Sequence, residues 1–167
     1  TDYSSIDYNR KDEEYYFNKL DYIIAVSENC KETLINIFPE IREKVRVMQN
    51  IVSPNFIKDM ASQEVDYCRK NKIIISTVGR LIKAKGIDNA IIACKKIIDK
   101  GYDISWIVIG EGAERESLSK QVESLGIKEN FVLLGSKVNP YPYIKECDIY
   151  IQPSRWEGFG ISVLEAK

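Results

Sequence analysis

Residues 73–100 read IIISTVGRLIKAKGIDNAIIACKKIIDK, and they show most clearly how this chain is built. The apolar and β-branched run Ile73–Val78 predicts a buried strand. A polar loop, residues 79–86, follows it. In residues 87–100 the apolar side chains recur at the 3.6-residue spacing of an amphipathic helix. This stretch is therefore predicted to form a strand, a loop and a helix in succession.

The same alternation runs along most of the sequence. Further strands are predicted at residues 22–26, 45–48, 104–109, 131–134 and 148–151, and further helices at 27–38, 114–125 and 143–147, with a last helix starting near Ile161. Alternating strands and helices indicate βαβ units, hence a Rossmann-like α/β fold whose parallel sheet has helices on both faces. The strand at 22–26 is expected to be buried on both faces. Ligands should bind at the carboxyl ends of the strands, where the glycine-rich loops fall.

The chain is expected to hold parts of two domains. Residues 50–56 carry turn formers and proline without any period, so they are predicted to be a connector. Residues 1–50 are predicted to end one domain, residues 51–71 to form a hinge, and residues 72–167 to form most of a second domain. Because the chain begins without Met and stops inside a predicted helix, we expect a piece of a longer protein, incomplete at its C-terminal end.

Composition excludes several classes of function. The 167 residues carry 24 basic and 25 acidic side chains, so no global field attracts nucleic acid. No apolar run approaches the roughly 20 residues needed to span a bilayer. The absence of histidine and of any C-x-x-C pair argues against a structural zinc site and a His-dependent nucleophile. The four cysteines are widely and irregularly spaced, and Cys94 and Cys147 are expected to be reduced and buried, which favours the cytoplasm.

Three loops that follow predicted strands carry candidate ligand-binding residues. In residues 79–86, Arg80 can bind a diphosphate through two hydrogen bonds and Lys85 as a point charge. Gly110 lies in an Ile-Gly-Glu-Gly turn where backbone can approach a ligand. Lys137 follows the strand at 131–134. Taken singly, each loop is explained at least as well by an ordinary solvated turn.

Two glutamates stand eight residues apart in residues 154–165, which read SRWEGFGISVLE. The glycines between them permit a close backbone approach, and N–H groups at the start of the last helix can bind phosphate or sugar hydroxyls. The second glutamate can accept two hydrogen bonds from a ribose. Two glutamates at such a spacing are usually solvated, but the joint fit with the cationic loop to one ligand favours a site. The candidates here are Glu157, Gly158, Phe159, Gly160 and Glu165.

These motifs resemble those of retaining glycosyltransferases of the GT-B fold, family 4, also called glycosyl transferases group 1. Glu157 and Glu165 match the family's E-x7-E signature, and residues 79–86 resemble its G-R-L-x-x-x-K-G element. Residues 21–28 are similar to the end of the family's N-terminal domain, and residues 47–52 to its hinge, although Asn-Ile replaces the usual Asn-Gly there. The resemblance covers most of the chain, centred on the C-terminal donor-binding domain.

The resemblance implies transfer of a sugar from a nucleotide-diphosphate sugar, a UDP- or GDP-sugar, to an acceptor hydroxyl with retention of anomeric configuration. Arg80 and Lys85 would contact the donor diphosphate, and Gly110 would line the donor cleft. Backbone in the loop that holds Lys137 would pair with the base. Glu157 would be the catalytic residue at the transferred sugar, followed by the Gly-Phe-Gly turn, and Glu165 would bind the ribose. No cofactor and no metal ion are expected.

The implied acceptor is a carbohydrate or a lipid-linked molecule of cell-envelope polysaccharide or glycolipid synthesis. Nucleic acid is not expected as a partner. The expected location is the cytoplasm, with peripheral association at the inner face of the membrane left open. A non-catalytic nucleotide-sugar-binding module and a GT-B-fold nucleotide-sugar epimerase remain alternatives. The isolated 167 residues are expected to bind nucleotide but to transfer little or no sugar.

Overall fold

The computed structural model describes residues 10–65 and 73–167, which fall into two compact units. The first unit comprises the described residues up to Ile51 together with Trp156–Gly160. The second comprises Val52–Arg155 and Ile161–Lys167. Cys68 and most of the polar part of the predicted hinge lie outside the described residues.

The first unit holds a small parallel sheet. Its elements are α1 (Arg10–Lys19), β1 (Ile23–Ala25), α2 (Glu28–Ile37), a short 3-10 helix (Pro39–Lys44) and β2 (Val45–Val47). The two strands pair in parallel, with Ile23 opposite Val45. Ser27 caps α2 as predicted, because its hydroxyl accepts a hydrogen bond of 3.2 Å from the backbone N–H of Cys30.

One face of this small sheet forms the core of the first unit. Ile23, Ala25 and Val45 are buried there against side chains of α2 and the following turn. The strand predicted at 22–26 is present, but the prediction that both of its faces are buried is wrong, since Ile24 is 49% exposed. Side chains alternate across a strand, and the described packing covers only the face of Ile23 and Ala25.

The second unit is a four-stranded parallel sheet with helices on both faces. Its elements are α3 (Pro54–Met60), β3 (Ile73–Val78), a 3-10 turn (Lys83–Lys85), α4 (Ile87–Asp99), β4 (Ile104–Ile109), α5 (Arg115–Ser124), β5 (Phe131–Gly135), α6 (Tyr141–Lys145), β6 (Ile149–Tyr150) and α7 (Ile161–Glu165). The strand order is β5-β4-β3-β6, with every pair parallel. The predicted α/β fold class is confirmed, and the strand order reverses at β3.

Two hydrophobic clusters cover the two faces of the large sheet. Trp106 and Val108 of β4 pack with α4 and α5 on one face. Ile107 and Ile109 of the same strand pack with Tyr143 of α6 on the other. All six residues of β4 are buried, as expected of a central parallel strand. This packing holds in place the carboxyl ends of the strands, from which the loops with the candidate ligand-binding residues extend.

Two sequence predictions in this unit are wrong in detail. Residues 50–56 were expected to be an irregular connector, yet α3 begins at Pro54, with Ser53 accepting a hydrogen bond from the N–H of Phe56. Proline suits the first turn of a helix because it has no N–H to leave unpaired. For the same reason the helix expected at 143–147 begins two residues earlier, with Pro142 in its first turn.

The prediction of two buried cysteines holds for Cys94 alone. Cys94 is fully buried, and this burial raises the pKa of its thiol to about 11. Cys147 is only half-buried at the end of α6, where its thiol donates to the carbonyl of Ile144 at 2.9 Å. In the described ranges, none of the helices has the length and apolar character of a membrane-spanning segment.

Candidate functional site

A pocket of about 240 Å³ lies at the carboxyl ends of β3, β4 and β5. It brings together three site residues that the sequence places in three separate loops: Arg80, Gly110 and Lys137. This is the edge of a parallel sheet at which ligands bind, and it adjoins the strand where the strand order reverses. Gly79, Glu111 and Ser136 also line the pocket.

Glycine backbones hold the three loops against one another. The N–H of Gly79 donates to the carbonyl of Ile109 at 3.0 Å, and the N–H of Gly110 donates to the carbonyl of Gly135 at 2.9 Å. Gly110 has a φ of 150°. A Cβ atom at this position would lie 1.9 Å from the carbonyl oxygen of Gly79. Gly110 therefore permits close approach of the chain's own backbone, which sets the shape of the pocket floor.

The two cations predicted to bind a diphosphate both adjoin Gly79. Arg80 follows it in the chain and is exposed. Lys85 is half-buried, and a Cβ atom on Gly79 would lie 3.7 Å from both Cγ and Cδ of its side chain. The aliphatic stem of Lys85 thus runs alongside a residue that lines the pocket. Arg80 lines the pocket, and Lys85 borders it.

Glu111 adds a carboxylate to this cationic pocket. Nη1 of Arg115 contacts its Oε1 at 2.7 Å, and Nη2 of Arg115 donates to the carbonyl of Leu133 at 3.2 Å. Arg115 thus compensates the charge of Glu111, and Arg80 and Lys137 give the pocket its positive excess. Nζ of Lys137 lies 5.4 Å from the ring centroid of Tyr143, within cation–π range. Such a pocket suits an anionic ligand.

Glu165 lies in a different pocket of the same unit. This pocket, of about 330 Å³, is lined by Glu165 together with Tyr141, Lys145 and Asp148. The hydroxyl of Tyr141 donates to Oε1 of Glu165 at 2.9 Å, and burial, together with this carboxylate, raises the pKa of Tyr141. The structure does not bring Glu165 into the pocket of Arg80, although consecutive residues, Pro140 and Tyr141, line the two.

The other signature glutamate belongs to the first unit, in the segment Trp156–Gly160. Glu157 is exposed, whereas Gly158, Phe159 and Gly160 are half-buried. The carbonyl of Gly158 accepts hydrogen bonds from Oγ of Ser27 at 2.9 Å and from Sγ of Cys30 at 3.4 Å. The Gly-Phe-Gly turn is therefore anchored at the start of α2, a contact that sequence spacing gives no means to predict.

Arg155 forms an ion-pair network that the sequence did not reveal. Its guanidinium binds both carboxylate oxygens of Asp88, at 2.8 and 2.7 Å, and Lys83 contacts the same carboxylate at 3.2 Å. Hydrogen bonds from Arg155 hold the pKa of Asp88 well below its usual range, outweighing the opposing effect of burial, and Lys83 adds to the lowering. The only sequence feature that indicates a role for Asp88 is its place in the first turn of a predicted helix, and this place does not indicate which residue pairs with it.

No cluster of three or more potential metal ligands occurs in residues 10–65 and 73–167. The described geometry of the second unit is that of an anion pocket at the carboxyl ends of parallel strands.

Comparison with known proteins identifies relatives over most of the chain. One of them is the Campylobacter jejuni N-acetylgalactosamine-N,N'-diacetylbacillosaminyl-diphospho-undecaprenol 4-alpha-N-acetylgalactosaminyltransferase. This chain is 28% identical to it over 150 residues, which cover 90% of this chain and 40% of that protein. It is 29% identical over 154 residues to the capsular polysaccharide biosynthesis glycosyltransferase CapM of Staphylococcus aureus, covering 87% of this chain and 40% of CapM. The chain spans about two fifths of the length of these relatives.

Solved structures share the fold. The crystal structure of a mutant of S. aureus TarM, in complex with Fondaparinux, alpha-GlcNAc-glycerol and UDP, matches with a TM-score of 0.74 at 23% identity. The match covers 93% of this chain and 30% of that one, and it identifies the architecture as GT-B. The family model for glycosyl transferases group 1 matches residues 62–167, more than half of the sequence. The chain therefore belongs to the glycosyl transferases group 1 family.

Proposed function

We propose that this chain binds the nucleotide-sugar donor of a retaining glycosyltransferase. The observation that supports this best is the pocket at the ends of β3, β4 and β5, which gathers Arg80 and Lys137 and is bordered by Lys85. A nucleoside diphosphate carries concentrated negative charge, and cations at a strand edge with backbone close by suit it. The UDP bound in the TarM complex, a protein of the same fold, is consistent with such a ligand.

The same cations would serve catalysis as well as binding. When the bond between sugar and diphosphate breaks, negative charge grows on the leaving oxygen. Arg80 and Lys85, already in place beside Gly79, would stabilise that charge without further reorganisation. Such stabilisation raises the rate because it is stronger in the transition state than in the bound donor.

The signature glutamates would act on the two sugars of the donor. Glu157, exposed beside the Gly-Phe-Gly turn, would bind hydroxyls of the transferred sugar and stabilise the positive charge at its reacting carbon. Glu165 would bind the ribose, since a carboxylate that accepts from Tyr141 through one oxygen can still accept further hydrogen bonds. The bond from the sugar to the diphosphate oxygen would break as the acceptor oxygen bonds to the same face of the anomeric carbon. The proton of the acceptor hydroxyl would pass to the leaving diphosphate, and the anomeric configuration would be retained.

The acceptor would be a carbohydrate or lipid-linked hydroxyl in cell-envelope glycan synthesis. Two relatives support this class, one named for transfer to a diphospho-undecaprenol-linked sugar and one for capsular polysaccharide biosynthesis. Retention is tested on the product of sugar transfer by the active enzyme: NMR of the glycosidic bond in the product should show the anomeric configuration of the donor. An inverted product would overturn the proposed mechanism.

Donor binding is tested by calorimetry of the chain against UDP, GDP and ADP. At least one nucleoside diphosphate should bind, and Arg80→Ala should weaken it by roughly 1.5–3 kcal/mol if Arg80 makes a charged hydrogen bond to phosphate. Lys128→Ala is the matched control, because Lys128 is an exposed cation paired with Glu123 and lines neither pocket. Equal losses in both variants, or no binding by the unaltered chain, would contradict the proposal.

A further inference from the structure

The segment just before the signature glutamate is fastened to the loop that carries Lys85. The N–H of Arg155 donates to the carbonyl of Ala84 at 2.8 Å, and its guanidinium donates to the carbonyl of Lys83 at 2.8 Å. The guanidinium also pairs with both carboxylate oxygens of Asp88, in the first turn of α4. These contacts hold the backbone immediately before Lys85 and the helix that follows it.

Gly86, which follows Lys85 in the chain, also packs against the segment that holds Arg155. Its φ is 64°, and a Cβ atom there would lie 2.2 Å from the carbonyl oxygen of Pro153. The loop therefore packs backbone against backbone onto residues 153–155, and only glycine fits at this position. Lys85 lies between two restrained residues, Ala84 and Gly86. This packing therefore restrains the backbone from which the stem of Lys85 runs past Gly79.

We infer that Arg155 is a positioning residue for Lys85: its two-pronged pair with Asp88 holds the 83–86 loop so that the ammonium group is already in place for the donor diphosphate. This inference rests on the proposed donor-binding function. Arg155 does not need to touch the ligand, because its charge is compensated by Asp88. Arg155 would strengthen binding because the loop is already ordered before the ligand arrives, so ligand binding loses less conformational entropy.

This ion pair supplies geometry as well as stability. Both side chains are about a quarter exposed, at 24% and 25%, so solvent screens part of their attraction. A guanidinium that binds two carboxylate oxygens and a carbonyl together, however, fixes distance and orientation. A carboxyl group with the ordinary pKa of 3.8 is already ionised at neutral pH, and Arg155 lowers the pKa of Asp88 further, so the pair is present under ordinary conditions.

The test is a double-mutant cycle in the 167-residue chain, read by calorimetry with UDP, or with whichever of UDP, GDP and ADP binds most tightly. Arg155→Ala should weaken binding about three- to tenfold, and no more than Lys85→Ala does. In the Lys85→Ala background, Arg155→Ala should cause no further loss. Arg155→Lys keeps the charge but cannot bind two oxygens and a carbonyl at once, so it should give an intermediate affinity.

Controls separate positioning from folding and from failure of the proposed function. Thermal unfolding should show each variant folded, and Arg155→Gln replaces Arg155→Ala if the latter is not. Uridine, which lacks phosphate, should bind the unaltered chain and every variant with the same weak affinity. Additive losses in the cycle, or an unchanged affinity of Arg155→Ala, overturn the positioning role while leaving donor binding intact. Absence of binding to all three nucleoside diphosphates by the unaltered chain overturns both.

Discussion

The carbonyl oxygen of Gly79 occupies the space in which a side chain at Gly110 would begin, 1.9 Å from the ideal Cβ position. The two residues end neighbouring strands, and the N–H of Gly79 donates to the carbonyl of Ile109 beside them. The floor of the anion pocket is therefore made of main chain packed on main chain. This packing lets the cations of two loops approach one ligand without a layer of side chains between them.

Gly110→Ala should destabilise the protein by about 3 kcal/mol, since the added methyl group meets backbone and the φ of 150° is unfavourable for alanine. Gly126→Ala is the matched control. Gly126 also has a positive φ, of 66°, but a Cβ atom there would meet nothing within 4 Å, so only about 1–2 kcal/mol of conformational cost is expected. Urea unfolding of both variants measures the difference, and equal losses would show that the contact with Gly79 is not limiting.

Ser27→Ala should cost about 1–2 kcal/mol of unfolding free energy, because Ser27 caps α2 and also donates to the carbonyl of Gly158. Ser53→Ala provides the comparison: Ser53 caps α3, at 3.5 Å, and makes a longer bond in an exposed position. We expect the smaller loss there, roughly 0.5 kcal/mol. Chemical denaturation decides between them, and a loss at Ser53 as large as that at Ser27 would contradict an anchoring role for the Gly158 contact.

Asp88→Asn should reduce stability at neutral pH and less so in acid. The pKa of Asp88 is lowered in the folded protein by Arg155, whereas in the unfolded chain it returns to near its ordinary value of 3.8. A carboxyl group with a depressed folded-state pKa contributes stability that is complete above its unfolded pKa and is lost as the pH falls through its folded pKa. The difference between Asp88→Asn and the unaltered chain, measured by urea unfolding, should therefore be constant from pH 8 to pH 6 and shrink below about pH 4.

A difference that stays constant from pH 8 down to pH 3 would show that the Asp88 carboxylate contributes nothing through its charge. Lys95→Ala is the control, because it breaks a more exposed ion pair, with Asp99 of α4, that should contribute little to the free energy of unfolding.

The regular elements could be predicted because burial imposes a period on the sequence. The strands at Ile73–Val78 and Ile104–Ile109 appear at the predicted residues, since a strand covered on both faces must be a nearly unbroken apolar run. Helix α1, which reads RKDEEYYFNK, was not predicted, because it is too polar to show an apolar stripe. Residues 50–56 predict a connector rather than helix α3, because proline is typical both of connectors and of the first turn of a helix.

The candidate site could be predicted only as far as topology determines it. Parallel strands place their carboxyl ends at one edge, so Arg80, Gly110 and Lys137 could be expected to meet, and they line one pocket. The contact of Arg155 with Asp88 joins residues 67 positions apart, and that of Tyr141 with Glu165 joins residues 24 apart. Such contacts depend on side-chain directions that no period in the sequence records.

Glu165→Gln should weaken UDP binding about tenfold if Glu165 accepts hydrogen bonds from the ribose, corresponding to roughly 1.4 kcal/mol for a bond to a charged acceptor. Tyr141→Phe separates this role from the internal contact, because it removes the 2.9 Å hydrogen bond to Oε1 and leaves the carboxylate. We expect Tyr141→Phe to retain most of the affinity for UDP, measured by calorimetry.

Inorganic diphosphate, which has no ribose, should bind Glu165→Gln and the unaltered chain equally well, whereas it should bind Arg80→Ala more weakly than either. If Glu165→Gln lost affinity for inorganic diphosphate as strongly as for UDP, or if Tyr141→Phe lost as much UDP affinity as Glu165→Gln, the carboxylate would be acting on the fold around Tyr141 and not on the sugar.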